Sequence, residues 1–181
     1  MPPPDAPLVI YFRHHEGRWR GRFTAAITDG DAFKKAGLPW ATRLRLRLMS
    51  LSMRLVGPMT MTTRVDASRI EDGVVVHWTW LRSFGITVMS SIETFRLADD
   101  GLQMTLERDE LAGPPGFRTR SSGVGSAAIR PEKNGVHYDL PWSGGRLEQT
   151  TEREGDDLTV TQRNDWFRGE VRLSREREAS P

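Results

Sequence analysis

The sequence predicts an all-β protein, an antiparallel meander of about nine to ten strands closing into a barrel, with one helix between its first and second strands. Three observations predict it. A short strand punctuated by Gly and Trp, Gly17-Arg18-Trp19-Arg20-Gly21-Arg22-Phe23, opens the pattern. One stretch, residues 39–56, lies between Pro39 and Gly57-Pro58 and carries helical spacing. After Pro58, short runs of alternating apolar and polar residues are separated by turn signals almost to the end.

The elements follow in order. Pro-rich residues 1–8 read as a tail, and residues 9–16 as a short lead-in strand or a turn. The single domain is drawn over 13–176, between flexible tails at 1–12 and 177–181. From Trp19 to Thr28 apolar Trp19, Phe23, Ala25 and Ile27 share one face and Arg20, Arg22 and Thr24 the other. Asp31 is expected to cap a short helix through Lys35, and Gly37 to end it.

Residues 39–56 carry two readings. Arg43 to Leu48 alternate as a strand would, but Leu44, Leu48, Leu51 and Leu55 fall on one helical face and Leu46, Met49, Met53 and Val56 on another. The Leu, Arg and Met content and the Pro and Gly boundaries favour the helix. Two apolar stripes with Arg43, Arg47 and Arg54 between them describe a helix sandwiched between the barrel and another surface with its arginines reaching outwards, or else a lid over a barrel mouth or a basic face that touches anionic lipid.

Strands then follow at 59–66, 74–82, 85–97 and 102–107. Turns at Asp72-Gly73 and Asp99-Asp100-Gly101 separate them. Gly113-Pro114-Pro115-Gly116 is a loop. The Gly/Ser-rich run 117–130 reads as a strand with a bulge or bend. Lys133-Asn134-Gly135 is a hairpin signal, and strands follow at 136–140, 146–153, 158–164 and 169–175, with a turn at Ser143-Gly144-Gly145. Closing this meander removes its edges. A helix-grip fold would require a long C-terminal helix, whereas this chain ends in a β-hairpin and a short charged tail.

The Gly17-x-Trp19 pair is similar to the Gly-x-Trp signature of lipocalins, and Gly17-x-Trp19-x-Gly21 to the start of nitrobindin-type haem barrels. A helix between the first two strands resembles the lid of fatty-acid-binding proteins. The resemblance implies a calycin-like barrel that binds a small hydrophobic ligand. It also implies that Trp19 closes the barrel base against Arg172 or Arg175. The haem branch would require an axial His late in the chain; none follows His137, so no cofactor is expected.

Composition excludes several chemistries. There is no Cys, hence no disulfide, thiolate metal site or Cys nucleophile. Together with an N-terminus unlike a signal peptide, this suits a cytoplasmic protein. Lys and Arg number 26 and Asp and Glu 24, interleaved along the chain, so no nucleic-acid partner is expected. The four histidines have no metal-ligand spacing, and neither a nucleophile-elbow Ser nor a phosphate-loop motif occurs.

The candidate site centres on strand 74–82. Val74, Val76, Trp78 and Trp80 form one face, and Val75, His77, Thr79 and Leu81 the other. The Trp face is the expected lumen face. Trp78 and Trp80 then line a pocket with Met59, Met61 and Met104 as adaptable apolar groups and Tyr138 as a hydroxyl handle. If the other face points inwards, His77 meets Glu93 on the next strand, and a His–carboxylate pair is a general acid–base unit. The expected function is binding of a small hydrophobic molecule; the alternatives are a cofactor-independent cyclase or isomerase using His77 and Glu93, and an interaction module using the Arg/Leu helix.

Overall fold

The computed structural model describes residues 1–113, 116, 118–130, 134–142 and 145–176. The helices are α1 (Pro7–His15), α2 (Gly30–Lys35) and α3 (Trp40–Val56). The strands are β1 (Gly17–Ile27), β2 (Met59–Asp66), β3 (Val74–Ser83), β4 (Ile86–Leu97), β5 (Gln103–Ala112), β6 (Thr119–Arg130), β7 (Gly135–Trp142), β8 (Gly145–Glu154), β9 (Asp157–Arg163) and β10 (Phe167–Arg175). Each strand pairs antiparallel with its sequence neighbour, and β1 pairs β10 to close a ten-stranded barrel. This is the expected closed antiparallel meander, with helices between its first two strands. Among the described residues no helix is long and apolar enough to cross a membrane.

The closing seam explains the Gly-x-Trp-x-Gly run. Gly17 has φ +116°, a conformation that glycine reaches without strain, and turns the chain out of α1 into β1. At Gly21 a Cβ would lie 1.9 Å from the Arg172 carbonyl oxygen, so only glycine lets β1 approach β10 there. Trp19 is fully buried. Its indole N–H donates to the His15 carbonyl at 2.8 Å, and the Arg175 guanidinium sits 4.8 Å from the indole centroid. Arg175, of the two arginines considered, is therefore the one that covers Trp19.

The N-terminus departs from expectation. Residues 1–12 are not a free tail: Pro7–His15 form a helix that closes the end of the barrel where β1 begins, burying Leu8, Val9, Tyr11, Phe12 and His15. Their spacing is helical, but Val, Ile, Tyr and Phe are weak helix formers. Burial inside the barrel decides the conformation, and Pro7 starts the helix without loss because its first N–H has no partner anyway. The Leu8 amide is tied to the Gly101 carbonyl at 3.1 Å, and Ala6 packs so close to Gly101 that a Cβ there would lie 2.3 Å from the Ala6 Cβ.

The opposite end carries α2 and α3. The α2 cap is Asp29, whose carboxylate accepts from the Asp31 and Ala32 amides, and not Asp31 as expected. α3 matches the 39–56 expectation. Its inner stripe buries Leu46, Ser50 and Met53; the Leu44, Leu48, Leu51 and Leu55 stripe faces outward. The turns expected around 114–115, 133 and 143–144 and the tail at 177–181 lie outside the described residues.

Candidate ligand site in the barrel interior

On β3 the face that enters the barrel carries Val75, His77, Thr79 and Leu81. Val75, Thr79 and Leu81 are buried, and His77 and Thr79 line an internal cavity. Trp78 and Trp80 therefore point outward, correcting the expected lumen face. The Trp78 ring is instead covered by the Arg64 guanidinium at 5.7 Å. Two indoles read naturally as pocket lining, but they stand on the outer wall beside Arg64, while the inner face holds a polar network the pattern did not show.

The other expected residues divide. Met61 and Tyr138 line the cavity. Met59 and Met104 point inward on the same strand faces as Met61 and Leu106, but are packed into the core away from the cavity wall. His77 and Glu93 do come together. They are directly opposite in the β3–β4 register, and His77 Nδ1 lies 2.9 Å from Glu93 Oε2.

The cavity is about 50 Å³ and lies between α1 and the strands. Its lining mixes apolar side chains, Met61, Val65, Leu158, Val160 and Leu173, with polar ones, Thr63, His77, Glu93, Arg108, Gln149 and Gln162. That volume accommodates about three or four water-sized groups; α1 fills the rest of the lumen with Leu8, Val9 and Phe12.

The polar lining belongs to a chain of buried charges. Arg108 reaches Glu93 Oε1 at 3.2 Å with one terminal nitrogen and Glu110 Oε2 at 3.1 Å with the other. All three side chains are almost fully buried. Burial works to raise the Glu93 carboxyl, but the Arg108 charge and the His77 hydrogen bond outweigh it and hold it below the usual carboxylate range. Glu93 is therefore an anion. Its Oε2 accepts from the His77 Nδ1–H, leaving Nε2 against the Thr63 hydroxyl. That hydroxyl has a second partner in the Trp78 carbonyl at 3.0 Å. Its proton thus has two acceptors, and turning it from one to the other lets His77 Nε2 either accept or, once protonated, donate.

Arg108 and His15, which line the cavity, each bury a nitrogen with unused capacity. Arg108 Nε–H has no acceptor among the described residues. His15 Nδ1 donates to the Tyr11 carbonyl at 2.5 Å, so its Nε2 is an acceptor, and it too has no partner among the described residues. Burial holds the His15 imidazole neutral, lowering its pKa to about 4. Beside it Tyr11 and Tyr138 hydrogen-bond one another and Thr151, and burial raises both phenols, so they remain neutral. Apolar lining together with a spare donor and a spare acceptor suits a small molecule with an apolar body and a polar end.

Arg108, Glu110, Thr63 and His15 were not singled out from the sequence. The signal for the first two was present: the alternation Met104, Leu106 continues through Arg108, Glu110 and Ala112, all buried on the inner face of β5. On the α3 side Arg45 donates to the Ala112 carbonyl at 3.1 Å and to Thr119 Oγ1 at 2.6 Å, with Glu110 contributing an attractive field. A charge on α3 thus meets the end of the buried network.

No protein-family model matches the sequence, and no curated protein matches it. Solved structures that resemble it include the REP1-NXSQ fatty acid transporter, at 14% identity over 92% of this chain and 99% of that chain with a TM-score of 0.47. A mutant of that transporter gives 14% identity over 91% and 99%, with a TM-score of 0.49. Likeness at that level does not transfer a ligand.

Proposed function

We propose that the barrel interior binds a small, mainly hydrophobic molecule with one hydrogen-bonding end. The observation that carries this reading is a cavity whose lining combines apolar side chains with Arg108 and His15, whose buried Nε–H and Nε2 have no partner among the described residues. Buried polar atoms without partners cost about 1–3 kcal/mol each, and a ligand that satisfies them recovers that cost. A molecule larger than the 50 Å³ cavity enters only as α1 withdraws. The exchange is of like for like: ligand hydrocarbon takes the place of Leu8, Val9 and Phe12 against the same strands.

The test is a titration of the methyl-labelled protein with a fluorescent medium-chain carboxylate and with its alcohol. Saturable shifts at Leu158, Val160, Leu173 and Met61, with Leu8 and Val9 shifting as α1 yields, support the reading. Saturable binding that leaves these methyls unmoved contradicts it.

The Thr63–His77–Glu93 relay favours a second reading, acid–base turnover of the bound molecule with His77 as the proton carrier and Glu93 orienting it. Mass spectrometry of ligand recovered from the wild type and from His77→Gln decides it. Chemical change with the wild type alone supports turnover; an unchanged ligand from both leaves binding as the whole function.

A further inference from the structure

Among the described residues, α3 carries more exposed large apolar side chains than any other element, and they gather on its outward face. Trp40, Leu44, Leu48, Leu51 and Leu55 recur at helical spacing, and all are between 49% and 76% exposed. The patch extends beyond the helix. Thr60, just after α3, pairs with Arg82 at the end of β3, so the β3–β4 turn lies beside the α3–β2 junction and adds exposed Phe84 and Ile86.

The sequence that carries this stripe has charge of one sign. Between Asp31 and Asp66 there is no acidic residue, against seven Lys or Arg. Arg47 and Arg54 are exposed and Arg43 half-exposed. Apolar side chains gain by leaving water whatever covers them, but the cover must also carry negative charge. A second copy does not: face to face, its arginines would oppose these.

We infer that this face of α3 docks on an anionic lipid surface, with Trp40 and the leucines entering the acyl boundary and the arginines resting on lipid phosphates. The inference stands independently of what the lumen holds. Its consequence is orientation: the end of the barrel covered by α3 faces the bilayer, and α1 faces away.

The experiment is flotation of the full chain with phosphatidylcholine vesicles, with and without phosphatidylglycerol. Binding is expected with phosphatidylglycerol only, and falls as salt rises. Arg43→Gln with Arg54→Gln should lower the partition coefficient about 30-fold, from about fivefold for each surface cation. Leu48→Ser with Leu51→Ser should lower it by at least about tenfold at unchanged charge, with thermal melting unchanged because both side chains are exposed. Trp40 fluorescence should be quenched by brominated lipid, and Trp40→Phe should remove that quenching. Binding to neither vesicle, or binding that survives both paired substitutions, overturns the inference. A dimer in the absence of lipid, lost in Leu48→Ser/Leu51→Ser, also overturns it by assigning the face to a second copy.

Discussion

Arg108 holds two carboxylates at once, Glu93 at 3.2 Å and Glu110 at 3.1 Å, inside the barrel wall. The cluster sets one guanidinium against two carboxyl groups, and Arg45 of α3 lies within the field of Glu110. The core of this barrel is thus not a uniform hydrophobic filling. It is a polar seam running from His77 to the α3 end, with apolar side chains around it.

Removing the cation should therefore be severe. Arg108→Met leaves two buried carboxylates facing one another, and the expected loss is about 3–5 kcal/mol. The double variant Arg108→Met/Glu110→Leu should recover part of it, because one repulsive partner is gone. Urea unfolding of the two variants checks the order.

The plug helix makes a prediction of opposite sign for stability and binding. Phe12 is buried and packs on the Phe95 ring at 5.5 Å. Phe12→Ala should cost about 3–5 kcal/mol and open the lumen beside the cavity. If the lumen is the ligand site, the same variant should bind a medium-chain fluorescent carboxylate more tightly. Calorimetric melting and probe titration on one preparation give both quantities.

His15 sets a pH dependence. Its folded-state pKa is about 4 against 6.5 for the free side chain, so between these values the unfolded chain binds the extra proton. Stability is then fully present above about pH 6.5 and is lost as pH falls towards 4, by an amount on the order of 3 kcal/mol. Glu93, held low, adds a loss in the same direction at lower pH. His15→Phe preserves the stack on Tyr11 and should flatten the slope between pH 6.5 and 4.5. Urea midpoints across that range measure it.

At the seam, Gly21→Ala should destabilise far more than an ordinary strand Gly→Ala change. The added methyl meets the Arg172 carbonyl at 1.9 Å, and backbone must move to admit it. A fall in melting temperature of at least about 4–8 °C, on a loss of at least about 2 kcal/mol, is the expected outcome. Gly30→Ala, where a Cβ meets nothing within 4 Å, is the control.

The barrel was legible because alternation and turn residues are local signals. Met59 to Val65, Val74 to Leu81 and Val136 to Leu140 each show which side chains share a face. What alternation cannot state is which face is inside. On β3 both faces are mostly apolar, and the choice of Trp78 and Trp80 over His77 went the wrong way because a buried His is satisfied only by partners on other strands. Glu93 and Arg108 are distant in sequence, and their meeting depends on register. The same limit hid α1. Val9, Ile10, Tyr11 and Phe12 favour a strand locally, and only the open end of a barrel makes them a helix. The helix at 39–56 was read correctly because Pro39 and Gly57-Pro58 bound it within its own sequence.

The measurement closest to the central claim is the methyl NMR titration with a medium-chain carboxylate. The account predicts saturable shifts at Leu158, Val160, Leu173 and Met61, accompanied by shifts at Leu8 and Val9 as α1 yields. Shifts confined to Leu44, Leu48, Leu51 and Leu55 on the outer face of α3, with the interior methyls unmoved, would contradict a ligand site inside the barrel.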